Sequence, residues 1–153
     1  MTELRTQHPD AVSSPGLALW RVTNAWQRHV RAALAPHDLT HVQYVLLASL
    51  TWMDRSEPVT QRDLARHAGL DVMMTSQVVR ALEAKGFVAR HPHPTDRRAV
   101  TVEPTGVGVE LANRATPDVE AADDTYFAVL PQGARASFTT ALRTLAETEH
   151  PTR

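Results

Sequence analysis

The side chains of this sequence that can do chemistry are suited to recognition and not to bond making. Ser76, Gln77 and Arg80 follow one another at helical steps, and Asp96, Arg97 and Arg98 close a proline-rich loop further along. Arginine and glutamine make paired hydrogen bonds to base edges in a major groove, and arginine also neutralises phosphates. Thr60 and Gln61 add a hydroxyl and an amide at the head of another helix, where unsatisfied backbone N–H groups suit an anion. Catalysis needs a nucleophile beside a base, a glycine loop around phosphates, or two carboxylates at a set spacing. The sequence holds none of these patterns, so nothing in it points to an enzyme.

Such residues need a rigid support, and the stretch from Thr60 to Val100 reads as helix, turn, helix, strand, basic loop, strand. Thr60 is an N-cap with Asp63 in the capping-box position, Leu64, Ala65 and Ala68 form an inward side, and Gly69 closes the helix. Asp71 caps a second helix, from Val72 to Lys85. Thr75, Val78, Val79 and Leu82 fall at i, i+3, i+4 and i+7, which gives that helix one inward face. Val72, Met73, Ser76, Gln77 and Arg80 fall on the opposite face. A plain solvated face carries Glu and Lys, whereas apolar groups mixed with Ser, Gln and Arg suit base edges, including the thymine methyl. Gly86 ends the helix. Phe87 to Arg90 and Ala99 to Glu103 read as strands joined by a loop of about eight residues, longer than a common hairpin turn. This order of parts sets one helix into a DNA major groove with a basic hairpin beside it.

Composition narrows the remaining classes. The 153 residues suffice for one domain with a sizeable core, and 42% hydrophobic with 22% charged residues is ordinary for a soluble protein. No apolar run approaches a membrane span and the first residues lack a signal-peptide core, so the cytoplasm is the expected location. Cysteine is absent, which excludes disulfides, thiol redox sensing and thiolate zinc clusters. Between Thr60 and Val100 seven basic residues face four acidic ones, a surplus of three, while the whole chain carries −1 and the remainder therefore −4. A basic module on an acidic body fits a protein that meets phosphates through one face. Eight histidines raise the question of a metal, with His91-Pro92-His93 the nearest pair. Zinc needs three or four convergent ligands and this pair offers two, so no metal site and no cofactor are assigned.

Outside that stretch the pattern is helical. Residues 1–16 hold Pro9, Pro15 and Gly16 without an apolar period and are expected to form a flexible arm. Leu17 to Ala35 is a helix with apolar residues on two stripes, one more than its own core needs. Thr40, with Gln43 as capping-box partner, starts another helix, and Asp54 to Pro58 is a loop that could include a short edge strand. From Thr105 to about Leu130 the chain is helical again, and Pro117 is expected to kink that helix or divide it. Phe138, Leu142 and Leu145 mark a last amphipathic helix, and the tail after Thr148 is expected to fray.

Taken together these residues resemble the multiple-antibiotic-resistance regulator (MarR) family of winged helix-turn-helix transcription factors. The wing Pro94-Thr95-Asp96-Arg97-Arg98-Ala99-Val100 carries the family's Asp-x-Arg at Asp96 and Arg98. Leu82-Glu83, Lys85-Gly86-Phe87-Val88 and Arg90 match the end of its recognition helix and the following strand, and Leu39-Thr40 with Gln43-Tyr44 matches its second helix. One departure is Pro104-Thr105-Gly106 where the family has Leu-Thr-Pro. Pro104 cannot donate a ladder hydrogen bond and is expected to end the second strand, and Gly106 lacks the preset first-turn geometry of proline. The wing is thereby a candidate for being shorter or more mobile than is usual in the family.

The resemblance implies a mainly α fold with a small β-hairpin wing, in a single domain over residues 17–148. Residues 17–35 and 105–148 would be dimerisation helices, and residues 36–104 the DNA-binding lobe. It implies a homodimer on a pseudo-palindromic operator in double-stranded DNA, acting as a repressor released by a small aromatic or anionic ligand. The expected DNA-binding residues are Thr60, Gln61, Val72, Met73, Ser76, Gln77, Arg80, Arg90, Asp96, Arg97 and Arg98. Arg98 would reach the minor groove, its guanidinium aimed by a bidentate pair with Asp96. Trp20, Asn24, His41 and Tyr44 lie where the family keeps its effector pocket, although Trp20 and Trp26 suit a dimer interface better. Two alternatives stay open: a regulator that answers to metal or pH, and an interaction module whose basic helix binds an acidic protein.

Overall fold

The computed structural model describes residues 5–149. Six helices and one hairpin follow in the order α1 (Pro15–Leu34), α2 (His41–Trp52), α3 (Gln61–Ala68), α4 (Val72–Ala84), β1 (Val88–Pro92), β2 (Val100–Pro104), α5 (Gly106–Phe127) and α6 (Ala134–Glu149), with a 3-10 turn at Ala35–His37 after α1. The fold is mainly α with a two-stranded wing, as the sequence pattern implies. The core gathers Val30 and Leu34 of α1, Leu46, Leu47 and Leu50 of α2, and Leu64 of α3. Val79 and Leu82 of α4, Val88 and Val102 of the wing, and Leu111 and Ala115 of α5 also belong to it. α5 packs against both α1 and α2, and α2 packs against α3 and α4, so α2 ties the helix-turn-helix to the long helices.

Local chemistry sets the boundaries. Thr40 and Gln43 form a complete capping box on α2, and Thr60 and Asp63 form one on α3, each satisfying two orphan backbone donors. α1 begins at Pro15, two residues inside the expected arm, because the Ser14 hydroxyl accepts the Leu17 N–H and proline suits the first helical turn. Residues 1–4 of that arm, and the tail 150–153, lie outside the described residues. α5 runs unbroken through Pro117, contrary to a division there. The carbonyl that loses its partner belongs to Asn113, and both Asn113 and Pro117 are exposed, so water can serve that carbonyl while Ala115 and Val119 stay buried on the other side.

The strands are antiparallel, with Val88 opposite Pro104, Arg90 opposite Val102 and Pro92 opposite Val100. β1 thus lies further along the chain than the expected Phe87–Arg90, and β2 does end at Pro104. The loop before α3 holds no strand within Asp54–Pro58. A single bridge pairs Thr60 with Thr101 instead, and the Val102 N–H donates to the Val59 carbonyl at 2.8 Å.

The wing base meets α5 at one close approach. The Thr105 N–H donates to the Phe87 carbonyl at 3.0 Å and the Thr105 hydroxyl to the Gly86 carbonyl at 2.7 Å. Gly108, one turn on, lies so near Phe87 that a Cβ there would overlap the Phe87 carbonyl. Gly106 has open space around it. Gly108→Ala is therefore expected to destabilise the fold by about 2–3 kcal/mol, as overpacking does. Gly106→Ala should shift stability by less than about 1 kcal/mol. Urea unfolding of both variants measures the contrast, and equal midpoints would contradict it.

Candidate nucleic-acid interface

α4 presents the two faces its spacing dictates. Thr75, Val79 and Leu82 have no exposed surface, and Val78 is half-buried against the core. The Thr75 hydroxyl, buried with them, donates to the Asp71 carbonyl at 2.8 Å, so no polar atom of that face is left unsatisfied. On the other side Gln77 and Arg80 are exposed, Ser76 is half-buried, and Val72 and Met73 are 48% and 76% exposed. The helix is fixed at both ends. The Asp71 carboxylate accepts the N–H groups of Met73 and Met74, and at the far end Gly86 takes a left-handed φ of 77°.

α3 is anchored just before its first turn. The Thr60 hydroxyl accepts the Asp63 N–H at 3.1 Å and donates to the Asp63 carboxylate at 2.6 Å, while Arg66 pairs with the same carboxylate. Those bonds, the Thr60 hydroxyl first, hold the Asp63 carboxyl below the usual range although burial opposes them. Thr60 and Gln61 thereby stand beside the start of α4. Thr60, Gln61, Arg62 and Val72 line an open cleft of about 400 Å³ whose other wall is Asp96, Arg98, Ala99 and Val100 of the wing. Five of the expected DNA-binding residues meet there: Thr60, Gln61, Val72, Asp96 and Arg98. The Gln61 Oε1 is buried without a hydrogen-bond partner among the described residues.

The wing tip differs from expectation in one respect. Among the described residues no ion pair joins Asp96 to Arg98. Asp96 Oδ1 accepts the backbone N–H of Arg98 at 2.9 Å, and the Ala99 N–H donates to the Asp96 carbonyl at 3.0 Å. The carboxylate closes a turn in its own backbone, which an Asp two residues before its donor does readily. Arg98 is thus aimed by the turn and not by a carboxylate clamp. His93 assists, its Nδ1 accepting the N–H groups of Thr95 at 3.2 Å and Asp96 at 3.1 Å. The sequence offered no signal for that role of His93.

Arg97 is exposed at the tip. Arg90 stands apart from the other candidates, since its Nε and Nη2 each lie 2.8 Å from Glu83 Oε2 and its side chain is 26% exposed. That pair ties the end of α4 to β1. Lys85 makes a second tie, donating to the Asp38 carbonyl at 2.9 Å across the fold. Arg62, absent from the expected set, lines the cleft. Its place two residues after the Thr60 cap was the available signal.

The four effector candidates are dispersed. Trp20 is 69% exposed, and Asn24 donates to the Trp20 carbonyl at 2.7 Å within the helix. His41 meets the Trp26 ring edge-on at 5.1 Å, and Trp26 itself donates to Asp123 at 2.7 Å. The Tyr44 hydroxyl donates to Thr116 at 3.3 Å. An apolar cavity of about 440 Å³ lies elsewhere, between α1, the end of α5 and α6, and none of the four lines it. Val22, His29, Tyr126, Phe127 and Phe138 are among its walls, and the aromatic residues of α5 and α6 were its sequence signal.

Helices α3 and α4 with an exposed polar stripe, and a hairpin whose arginine shares their cleft, define a winged helix-turn-helix protein. The sequence profile of the MarR family matches residues 39–100. YdcH, an HTH-type transcriptional regulator of Bacillus subtilis, is 48% identical over 117 residues, which cover 76% of this chain and 80% of YdcH. CouR of Rhodococcus jostii RHA1, solved bound to p-coumaroyl-CoA, superposes with a TM-score of 0.80 at 29% identity over 95% of this chain and 99% of that one. Rv2887 of Mycobacterium tuberculosis, an HTH-type transcriptional repressor solved with salicylic acid, superposes with a TM-score of 0.65 at 33% identity over 86% of this chain and 96% of that one. The chain belongs to the MarR family of DNA-binding transcriptional regulators, which are not enzymes.

The half-buried His41 supplies a pH test of the packing between the long helices. Burial first, and then the Arg31 charge, hold its imidazole below the ordinary value, with Asp123 opposing them. A histidine depressed in this way takes its proton more readily when unfolded. The stability from its neutral form is complete above the unfolded value of about 6.5 and is lost as pH falls through the lowered folded value. His41→Gln should therefore lose less thermal stability than the parent between about pH 7 and about pH 5. Circular-dichroism melts compare the two, and equal losses would remove His41 from the acid response.

Proposed function

We propose that this chain acts as a homodimer that binds a pseudo-palindromic operator and represses transcription until a small aromatic or anionic ligand releases it. The observation that carries the DNA half of this reading is the shared cleft. The start of α3, the start of α4 and Arg98 of the wing converge on one side of the subunit, with Ser76, Gln77 and Arg80 extending the same surface. Thr60, Gln61, Val72, Met73, Ser76, Gln77, Arg80, Asp96, Arg97 and Arg98 are the residues we assign to it. Arg90 serves mainly through its pair with Glu83, which sets the wing against α4.

Surplus apolar surface supports the dimer. Leu17, Leu19, Trp20 and Val22 of α1 and Leu142 and Leu145 of α6 are all exposed, and of residues 134–148 only Ala134 and Phe138 are not. Helices exposed in this way are stable when a second subunit covers them, and a two-fold axis would set the recognition helices about 34 Å apart. Residues 17–35 and 105–148 form the dimerisation region in this reading and residues 36–104 the DNA-binding lobe, in the cytoplasm. The ligand half rests on the relatives. CouR is bound to p-coumaroyl-CoA and Rv2887 to salicylic acid, both carrying an aromatic ring with an acyl or carboxyl group. A ligand that binds better to an arrangement with mis-spaced recognition helices lowers operator affinity by population shift.

Operator titration at several salt concentrations is expected to give a steep negative log–log slope and tighter binding to one palindrome. Arg98→Ala should weaken that binding at least about fivefold. A parent protein without sequence preference would overturn the regulator reading, and an unchanged Arg98→Ala affinity would remove the wing from the interface. Salicylate added to the operator complex is expected to raise the dissociation constant. An unchanged constant across a panel of aromatic acids would overturn the release mechanism.

A further inference from the structure

The first turn of α4 is apolar where a solvated helix start is polar. Val72, Met73 and Met74 are 48%, 76% and 47% exposed, three apolar side chains in succession. Nothing in the core requires Met73 there, and the positions beside it carry the polar stripe. Met73, Ser76, Gln77 and Arg80 fall at i, i+3, i+4 and i+7 and so share one face. Val72 lies at the edge of the same face, against the wing, in the cleft with Arg62 and Arg98. The apolar turn is therefore continuous with a cationic surface, a combination that suits the duplex and not an apolar protein partner.

The same turn is closed to phosphate. Asp71 Oδ1 accepts the Met73 N–H at 2.6 Å and the Met74 N–H at 3.0 Å, so these donors are occupied and the carboxylate repels an anion. If the N-terminal residues of α4 enter the major groove, as in helix-turn-helix docking, they can meet only base edges. The one apolar group that base edges display in that groove is the C5-methyl of thymine. Methionine, unbranched and polarizable, adapts its end to such a group.

We infer that Met73, with Val72 beside it, reads thymine in each half-site through its C5-methyl group. Gln77, one turn further along, stands where paired hydrogen bonds to an adjacent adenine are available. The inference rests on the DNA-binding reading above and adds the chemistry of one base position to it.

The test starts from sites selected by the full-length protein from a random duplex library. Each thymine of the selected half-site is then replaced by deoxyuridine, which removes only the methyl group and leaves base pairing intact. At one or two positions affinity should fall about fourfold per methyl, the effect of losing one buried methyl contact. Met73→Ala should discriminate thymine from uracil at those positions less than the parent does, whereas Met73→Leu should keep the preference for thymine. Met73 is mostly solvent-exposed, so neither variant threatens folding. A clear selected sequence whose every thymine-to-uracil replacement leaves affinity unchanged overturns this inference alone. Discrimination that persists undiminished in Met73→Ala also overturns it. A library that yields no preferred sequence overturns the DNA-binding reading and this inference with it.

Discussion

The close approach of the Phe87 carbonyl to the first turn of α5 fixes the geometry of everything that could touch DNA. At that point the recognition helix has just ended, the first wing strand is about to begin, and the second wing strand has delivered the chain into α5. Thr105 holds the three together, donating to the carbonyls of Gly86 and Phe87 and accepting the Gly108 N–H at 3.1 Å. Only a residue without a Cβ fits at Gly108. A bulkier residue would push α5 away from the end of α4, and the wing and recognition helix would tilt together relative to the long helices.

Further ties converge on the same end of α4. Glu83 holds Arg90 of β1, and Lys85 reaches the carbonyl of Asp38 in the turn between α1 and α2, where Asp38 adopts a left-handed φ of 52°. The neighbouring His37 lies 2.7 Å from Asp118 of α5. The recognition helix is thus joined by polar contacts to the segment linking α1 with α2, and that segment to α5. These bonds are partly exposed, so each contributes modestly to stability. Their importance lies in direction: a shift of α1 against α5 has a short path to the orientation of α4.

Much of this architecture was legible because it is local. The burial of Thr75, Val79 and Leu82 follows from helical spacing, and the Thr40–Gln43 and Thr60–Asp63 boxes follow from residue type at a fixed offset. What escaped depends on choices between partners or on distant packing. Asp96 could accept from the Arg98 guanidinium or from its backbone N–H, and the tight turn at the tip decides for the backbone. Glu83 and Arg90 are separated by a helix end and a turn, so no helical offset announced their pair. Pro117 leaves α5 whole on a side of the helix where Asn113, whose carbonyl it strands, is exposed, a matter of tertiary placement. The effector candidates were the least legible, since aromatic residues on α1 suit packing, an interface or a pocket equally well by composition.

The central claim is that two recognition helices, carried by a dimer, read one face of a duplex. Hydroxyl-radical footprinting on a selected operator tests it directly. Two protected segments centred about 10 base pairs apart on the same face of the helix are the predicted result, because a two-fold dimer spaces its recognition helices by one turn of DNA. A single protected segment, or two on opposite faces, would contradict the account.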